Sequence, residues 1–189
     1  MGKIKKLASQ LPLLVVWALL SVILWGWIFT LVTSPSAQNK LTIAVDGTVR
    51  DSTAWAVEME KIGAEQISRC MVYPFSYALM STQTLENADL LIISEEDLPE
   101  KLDWLICIPE AFLSADVSFY ESEGIKYGIR IENTARSALE KQVLLDEAQS
   151  YYLCFGKQSV HNEEIPGSAD NAASIYAKWI LSGMEEEFQ

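Results

Sequence analysis

The chain has 189 residues and a formal net charge of −12 at pH 7, from 26 acidic and 14 basic side chains. All 26 acidic and 11 of the basic side chains follow residue 33, which gives that part a formal charge of −15. So acidic a surface argues against binding to nucleic acid and against lying flat on anionic lipid. With one histidine and no CxxC pair, the sequence predicts no structural zinc site, and nothing in it indicates another metal or a cofactor.

An uncharged apolar segment of 22 residues, from Leu11 to Val32, dominates the N-terminal region. A helix of this length spans roughly 30 Å, the thickness of the hydrocarbon core of a bilayer. Three lysines precede it, and positively charged flanks stay in the cytoplasm. The segment therefore predicts a single-pass cell-membrane protein. Residues 1–10 would be cytoplasmic, residues 11–32 would contact the lipid bilayer as a transmembrane anchor, and the C-terminal domain would be extracytoplasmic.

A cleaved signal peptide is the alternative, because small residues at Ser34, Ser36 and Ala37 could form a cleavage site. Its apolar region would then be 22 residues long, whereas signal peptides usually have about 7 to 15. We therefore expect an uncleaved signal anchor.

The remaining chain is divided into a tether (33–40), one domain (41–184) and an acidic tail (185–189). Apolar runs predict strands at 41–47, 69–75, 89–95, 104–109, 126–132 and 150–157. Helical spacing predicts helices from about 51 to 67, at 76–88 (Leu79 and Leu85 inward), at 133–148 (Leu139, Val143 and Leu144 inward) and at 168–183. This alternation favours an α/β fold with three layers around a mainly parallel sheet, preceded by the one transmembrane helix.

Two of the predicted helices have a clear buried stripe and recognisable ends. In the first, Trp55, Met59 and Ile62 share one face, and Asp51, Ser52 and Thr53 offer capping oxygens. The last helix has Ser168 or Asp170 as its N-cap and Gly183 after its end, and its inward stripe comprises Ala172, Tyr176, Trp179 and Ile180.

The candidate binding residues follow the first and third predicted strands. Open α/β sheets bind ligands outside the carboxyl ends of their strands. This rule selects Asp46, Gly47 and Thr48 after the first strand, and Ser94 and Glu95 after the third. We expect Asp46 and Glu95 to face each other across a crevice and to bind a small polar solute. Their charge favours a cation, an amine or a hydroxyl-rich solute.

Residues that could carry other chemistry are few. Cys107 and Cys154 lie in apolar runs and are predicted to be buried thiols, and His161 lies in a polar turn and is predicted to be at the surface. No hydrolase, metalloprotease or phosphate-loop signature occurs in the sequence. We therefore expect a protein that is not an enzyme.

Three segments resemble an extracellular solute-binding protein of the ABC-transporter type. They are KLTIAVDG followed by a helix, ADLLIISEEDL with its acidic turn, and YYLCFGKQSVHNEEIPGSADNAASIYAKWIL with its K-x-S turn and final helix. KYGIRI is similar to the segment that leads into the second lobe of that family. Here the chain reaches YYLCFG within 25 residues, so the resemblance implies a single periplasmic-binding-protein-like lobe without the second one.

Two functions remain open on this evidence. The first is a membrane-anchored, extracytoplasmic solute-binding-like module, whose expected partner is an ABC transporter. The alternative is a non-catalytic accessory or scaffold subunit of a cell-envelope complex. A concave polar pocket at the strand ends would favour the first, and a filled or apolar surface there would favour the second.

Overall fold

The computed structural model describes residues 2–33, 37–62, 67–75, 85–113, 117–161 and 172–184. The chain forms two compact units, 1–35 and 36–189. The predicted N-caps Ser168 and Asp170, Leu79 and the tail 185–189 lie outside the described residues.

The first unit contains one helix, α1 (Gly2–Thr33). Its described side chains, at 15–30, are all exposed, and Trp17, Trp25 and Phe29 each expose more than 60% of their surface. The hydroxyls of Ser21 and Thr30 donate to carbonyl oxygens four residues earlier, at 2.9 and 2.8 Å. Among the residues that the structure describes, no helix combines the length and apolar character needed to cross a membrane.

The second unit is an α/β domain built on one six-stranded sheet. Its strands and helices are, in chain order, β1 (Lys40–Val45), β2 (Thr48–Val49), α2 (Ser52–Lys61), β3 (Arg69–Pro74), β4 (Leu90–Ser94), β5 (Phe119–Ser122), β6 (Ile125–Arg130), α3 (Asn133–Gln142), β7 (Val143–Leu144), β8 (Tyr151–Phe155) and α4 (Ala172–Leu181). The sheet order is β3-β1-β4-β8-β6-β5, and β2 and β7 form a separate antiparallel ribbon.

The expectation of a mainly parallel sheet is wrong, because the sheet is mixed. Strand β1 pairs in parallel with β3 and β4, whereas β4–β8, β8–β6 and β6–β5 are antiparallel pairs. Strand β8 enters the middle of the sheet in the opposite direction. All five of its residues are buried, so its apolar run gives no sign of that direction.

Buried side chains cover both faces of the sheet, since alternate residues of a strand point to opposite sides. Leu41, Ile43 and Leu153 pack on one side, together with Trp55 of α2 and Tyr176 of α4. A second cluster on the other side contains Ala44, Leu91, Ile93, Leu98, Leu105, Tyr152 and Cys154. The domain thus buries apolar surface on both sides of its sheet.

The helix stripes are confirmed where they are described. In α2, Trp55 and Met59 are fully buried, whereas Ile62 at its end is half-buried, and the Asp51 carboxylate accepts hydrogen bonds from the N–H groups of Thr53 and Ala54. The inward stripe of α4 is buried as predicted, at Ala172, Tyr176, Trp179 and Ile180. Gly183 has φ +87°, and the next N–H, of Met184, donates to the Trp179 carbonyl, as at a glycine-terminated helix end.

Two segments differ from the sequence prediction. The run 104–109 is not a strand: a 3-10 helix (Leu98–Trp104) precedes it, Leu105 forms an isolated bridge with Gly156, and the N–H groups of Ile106 and Ile108 donate to carbonyl oxygens of β8 and β6. Pro109, the last residue of the run, has no N–H to continue this pairing. The helix predicted at 133–148 ends at Gln142, after which Leu144 is exposed in β7.

Candidate functional site

One edge of the sheet, here called the carboxyl edge, is where β1, β4 and β6 end and β8 begins. All five predicted binding residues lie at or beside it. The opposite edge, where β1 and β4 begin and β8 ends, is called the amino edge. The two edges hold different sets of polar side chains.

Asp46 and Ser94 are brought together at the carboxyl edge. The Asp46 carboxylate accepts hydrogen bonds from the Ser94 hydroxyl and, at 3.1 Å, from the Ser94 N–H. The Asp46 N–H donates to the Ile92 carbonyl at 2.7 Å and so extends the pairing of β1 with β4. This carboxylate ties two strand ends together.

Gly47 and Thr48 lie against the ribbon of β2 and β7. Thr48 pairs with Leu144, and a Cβ atom at Gly47 would lie 3.0 Å from both the Leu144 carbonyl oxygen and Val143 Cγ1. Any larger residue here would force these neighbours to shift, and the backbone of β7 occupies the space where a solute was expected.

Glu95 is exposed, and its N–H donates to the Ser150 carbonyl at 2.9 Å. The neighbouring Glu96 accepts a hydrogen bond from Gln149 Nε2 at 2.7 Å. The structure therefore places Glu95 beside the start of β8, while Asp46 bonds to Ser94.

A polar cavity of about 320 Å³ opens at the same edge, beyond β6. Its lining residues are Arg130, Ile131, Glu132, Arg136 and Ser150. Sequence reasoning missed this site, although a signal was present. A charged pair at the end of the KYGIRIE strand immediately precedes a helix that brings a second arginine one turn later.

The two arginines of the cavity are held differently. Arg136 donates to Glu140 at 2.8 Å, to the Gln149 carbonyl at 2.8 Å and to the Asp146 carbonyl at 3.0 Å, so it fixes the turn before β8. Arg130 donates to the Ser150 hydroxyl at 3.1 Å and lies 3.4 Å from a Glu132 oxygen, with both side chains nearly half exposed. Arg130 is thus the more accessible of the two guanidinium groups.

The amino edge holds a buried polar network, in which the predicted surface position of His161 is wrong. His161 is 1% exposed, and its Nε2 lies 3.0 Å from the Lys40 carbonyl oxygen. The buried Asp89 carboxylate accepts hydrogen bonds from the Ser159 hydroxyl and, at 2.6 Å, from the Thr42 N–H. The ring of His161 reaches the backbone at the start of β1, a long-range contact that the polarity of SVHNEE does not reveal.

These three side chains do not form a catalytic triad. The Ser159 hydroxyl donates to Asp89 and accepts from the His161 backbone N–H, not from its ring. Burial raises the pKa of Asp89, and the Ser159 hydrogen bond, the charge of His161 and the Thr42 N–H oppose that rise. With Ser159 only 1% exposed, the network has no accessible nucleophile and reads as structural.

The cysteines differ in exposure. Cys154 and Cys70 are buried thiols, and burial raises the pKa of both, that of Cys70 to about 11. Cys107 is exposed, contrary to the prediction, although its neighbours Ile106 and Ile108 donate backbone hydrogen bonds to the Phe155 and Lys126 carbonyls and pack against the core. Among the described residues, no three histidine, cysteine or acidic side chains are grouped to hold a metal ion.

Comparison with protein-family models, curated proteins and solved structures found no match to this chain. The site must therefore be interpreted from its own geometry.

Proposed function

We propose that this protein is a membrane-anchored, extracytoplasmic module that binds a small polar solute, built as a single lobe of the solute-binding type. The cavity of about 320 Å³ at the carboxyl edge carries the proposal. It is concave, charged and positioned where open α/β sheets bind ligands. The solute site differs from the predicted one, since it lies beyond β6 and not between β1 and β4.

The anchor is supported by the sequence of residues 11–32, which has no charged side chain over 22 positions. The segment lies within the continuous helix α1, so the backbone hydrogen bonds are satisfied within the helix, as lipid requires. Over residues 15–30, apolar side chains are exposed on every face of the helix, which suits lipid better than water.

The arrangement of the sheet supports the likeness to a single lobe. The three segments that resemble the solute-binding family supply β1, β4 and β8, which are neighbours at the centre of one sheet. The connection from β6 to β8, residues 131–150, stands where the second lobe would be inserted. It forms α3 and β7 and supplies four of the cavity's five lining residues and part of the cover over Gly47. The partner of such a module would be an ABC transporter.

Filling the cavity tests the binding function. Ser150→Phe should place a ring in the cavity, whereas Ser137→Phe puts the same ring on an exposed position of α3 outside the lining. The full-length chain in lipid nanodiscs would be screened by thermal shift against single amino acids, sugars, polyamines and carboxylates. We expect a solute that stabilises the wild type and Ser137→Phe but not Ser150→Phe. A hit that both variants retain would place binding elsewhere, and a panel without any hit would contradict the proposal.

The exposed Cys107 offers a test of the location. A membrane-impermeant maleimide applied to intact cells should label the wild type and not Cys107→Ser, because Cys70 and Cys154 are buried. Labelling that requires cell lysis would contradict an extracytoplasmic domain.

A scaffold subunit remains the second candidate, favoured by one observation. Leu144 exposes 57% of its surface on the ribbon that covers Gly47, so part of the carboxyl edge is filled and apolar. This function predicts that Leu144→Asp removes a co-purifying envelope protein while Ser150→Phe does not. The binding function predicts that only Ser150→Phe impairs the module.

A further inference from the structure

The cavity contains an ion pair whose two charges are both available to a ligand. Arg130 Nε and Glu132 Oε1 are 3.4 Å apart, longer than the 2.7–2.9 Å typical of a hydrogen-bonded ion pair. Their side chains are 45% and 46% exposed. Exposed pairs of this kind contribute little to stability, so a ligand can separate them at small cost.

The surroundings position the positive side of this pair. The Ser150 hydroxyl accepts from Arg130 Nη2 at 3.1 Å and so holds the guanidinium at the cavity wall. The first turn of α3 begins beside it, and the Glu132 side chain makes no capping hydrogen bond there. The positive end of the helix dipole therefore adds to the attraction for an anionic group. Arg136 is held by three hydrogen bonds, one of them to the Glu140 carboxylate, and forms a fixed part of the cavity wall.

The wider domain argues against a simple anion as the ligand. Its 26 acidic and 11 basic side chains give a formal charge of −15, which repels any ligand of net negative charge. A ligand with both charges and no net charge avoids this repulsion. It can also replace one loose ion pair by two new ones.

We propose, resting on the binding function above, that the cavity takes a small zwitterion with an ammonium and a carboxylate a few bonds apart. The carboxylate binds the Arg130 guanidinium near the start of α3, and the ammonium binds the Glu132 carboxylate. The cation preference expected from Asp46 and Glu95 alone is thereby replaced by recognition of both charges.

Three matched probes test this inference: L-alanine, propionate, which lacks the ammonium, and ethylamine, which lacks the carboxylate. Their binding to the full-length chain in nanodiscs would be measured by isothermal titration calorimetry. We expect alanine to bind at least about tenfold more tightly than either fragment, since each fragment loses one ion pair. Arg130→Gln and Glu132→Gln should each weaken alanine binding by about tenfold or more.

Arg69→Gln and Glu121→Gln are the matched controls, because they remove exposed charges outside the cavity, and both should bind alanine like the wild type. Equal binding of propionate and alanine would overturn the zwitterion assignment in favour of an anion site. Unchanged alanine binding by Arg130→Gln or Glu132→Gln would also overturn the zwitterion assignment. If only a sugar or a polyamine binds, and Ser150→Phe abolishes that binding, the zwitterion inference fails while the binding function stands. If no probe and no member of the wider panel binds, both fail.

Discussion

The two edges of the sheet contain the same kinds of polar residue in opposite situations. At the amino edge, Asp89, Ser159 and His161 are at most 3% exposed and form short hydrogen bonds with each other and with the strands. At the carboxyl edge, Arg130 and Glu132 are nearly half exposed, and their charges lie 3.4 Å apart. The buried set stabilises the fold, and the loosely paired set is left for a ligand.

This difference shows why residue type alone does not identify a site. A serine, a histidine and an aspartate lie within one network at the amino edge, yet none of them is accessible. A buried polar group is costly unless it is hydrogen-bonded, so such a network is first of all a means of satisfying buried groups. Accessible charge with incomplete pairing is the better indicator of a binding surface.

The largest effect is expected from a methyl group at the amino edge. A Cβ atom on Gly156 would lie 1.8 Å from the Ala88 carbonyl oxygen, a backbone atom that cannot move aside cheaply. Gly156→Ala should therefore cost more than about 4 kcal/mol or prevent folding. At the carboxyl edge, Gly47→Ala meets its neighbours at 3.0 Å and should cost about 1 to 3 kcal/mol. Urea unfolding of the full-length chain in detergent would compare the free energies of unfolding of the two variants. Equal costs would contradict the tighter packing of the amino edge.

Asp89 should give the next largest effect, and a characteristic pH dependence. Asp89→Ala leaves the buried Thr42 N–H without its acceptor and should cost about 2 to 3 kcal/mol. Asp89→Asn keeps an acceptor for that N–H without burying a charge.

Burial raises the folded pKa of Asp89 above its ordinary value of 3.8. The stability that protonated Asp89 contributes is therefore fully present below pH 3.8. It is lost as the pH rises through the pKa that Asp89 has in the folded state. The free energy of unfolding of the wild type should fall relative to that of Asp89→Asn as the pH is raised from about 4 to 8. A relative rise would contradict a raised pKa.

A smaller effect should separate the two predicted acidic site residues. Asp46→Ala removes the acceptor of two Ser94 hydrogen bonds at a half-buried position and should cost about 1 to 2 kcal/mol. Glu95→Ala, at an exposed position, should change stability by less than about 0.5 kcal/mol. Similar losses in both variants, measured by urea unfolding, would mean that Glu95 also ties the strand ends together.

The sequence predicted much of the domain because its helices and strands have local causes. The stripe of Trp55 and Met59 and the glycine after α4 follow from spacing and from backbone freedom, which neighbouring residues determine. The direction of β8 does not follow from local spacing, since its five buried residues suit either orientation. Long-range pairing also determines where the cavity lies and which predicted position is filled. The contact of Gly47 with Leu144 and that of Arg130 with Ser150 join residues that no local pattern connects.

Little effect on stability is expected at the cavity itself. Arg130→Gln and Glu132→Gln break an exposed, loosely formed ion pair and should each change the free energy of unfolding by less than about 1 kcal/mol. Thermal unfolding of the full-length chain would check this. A loss comparable to that of Asp89→Ala would mean that the carboxyl edge is as structural as the amino edge.

Hydrogen–deuterium exchange of the full-length chain, with and without a saturating mixture of amino acids, sugars and polyamines, tests the difference between the edges most directly. We expect slower exchange on solute addition at residues 130–136 and 149–151, around the cavity, with no change at residues 88–90 and 156–161. Slower exchange at the amino edge, or no change anywhere in the domain, would contradict this expectation.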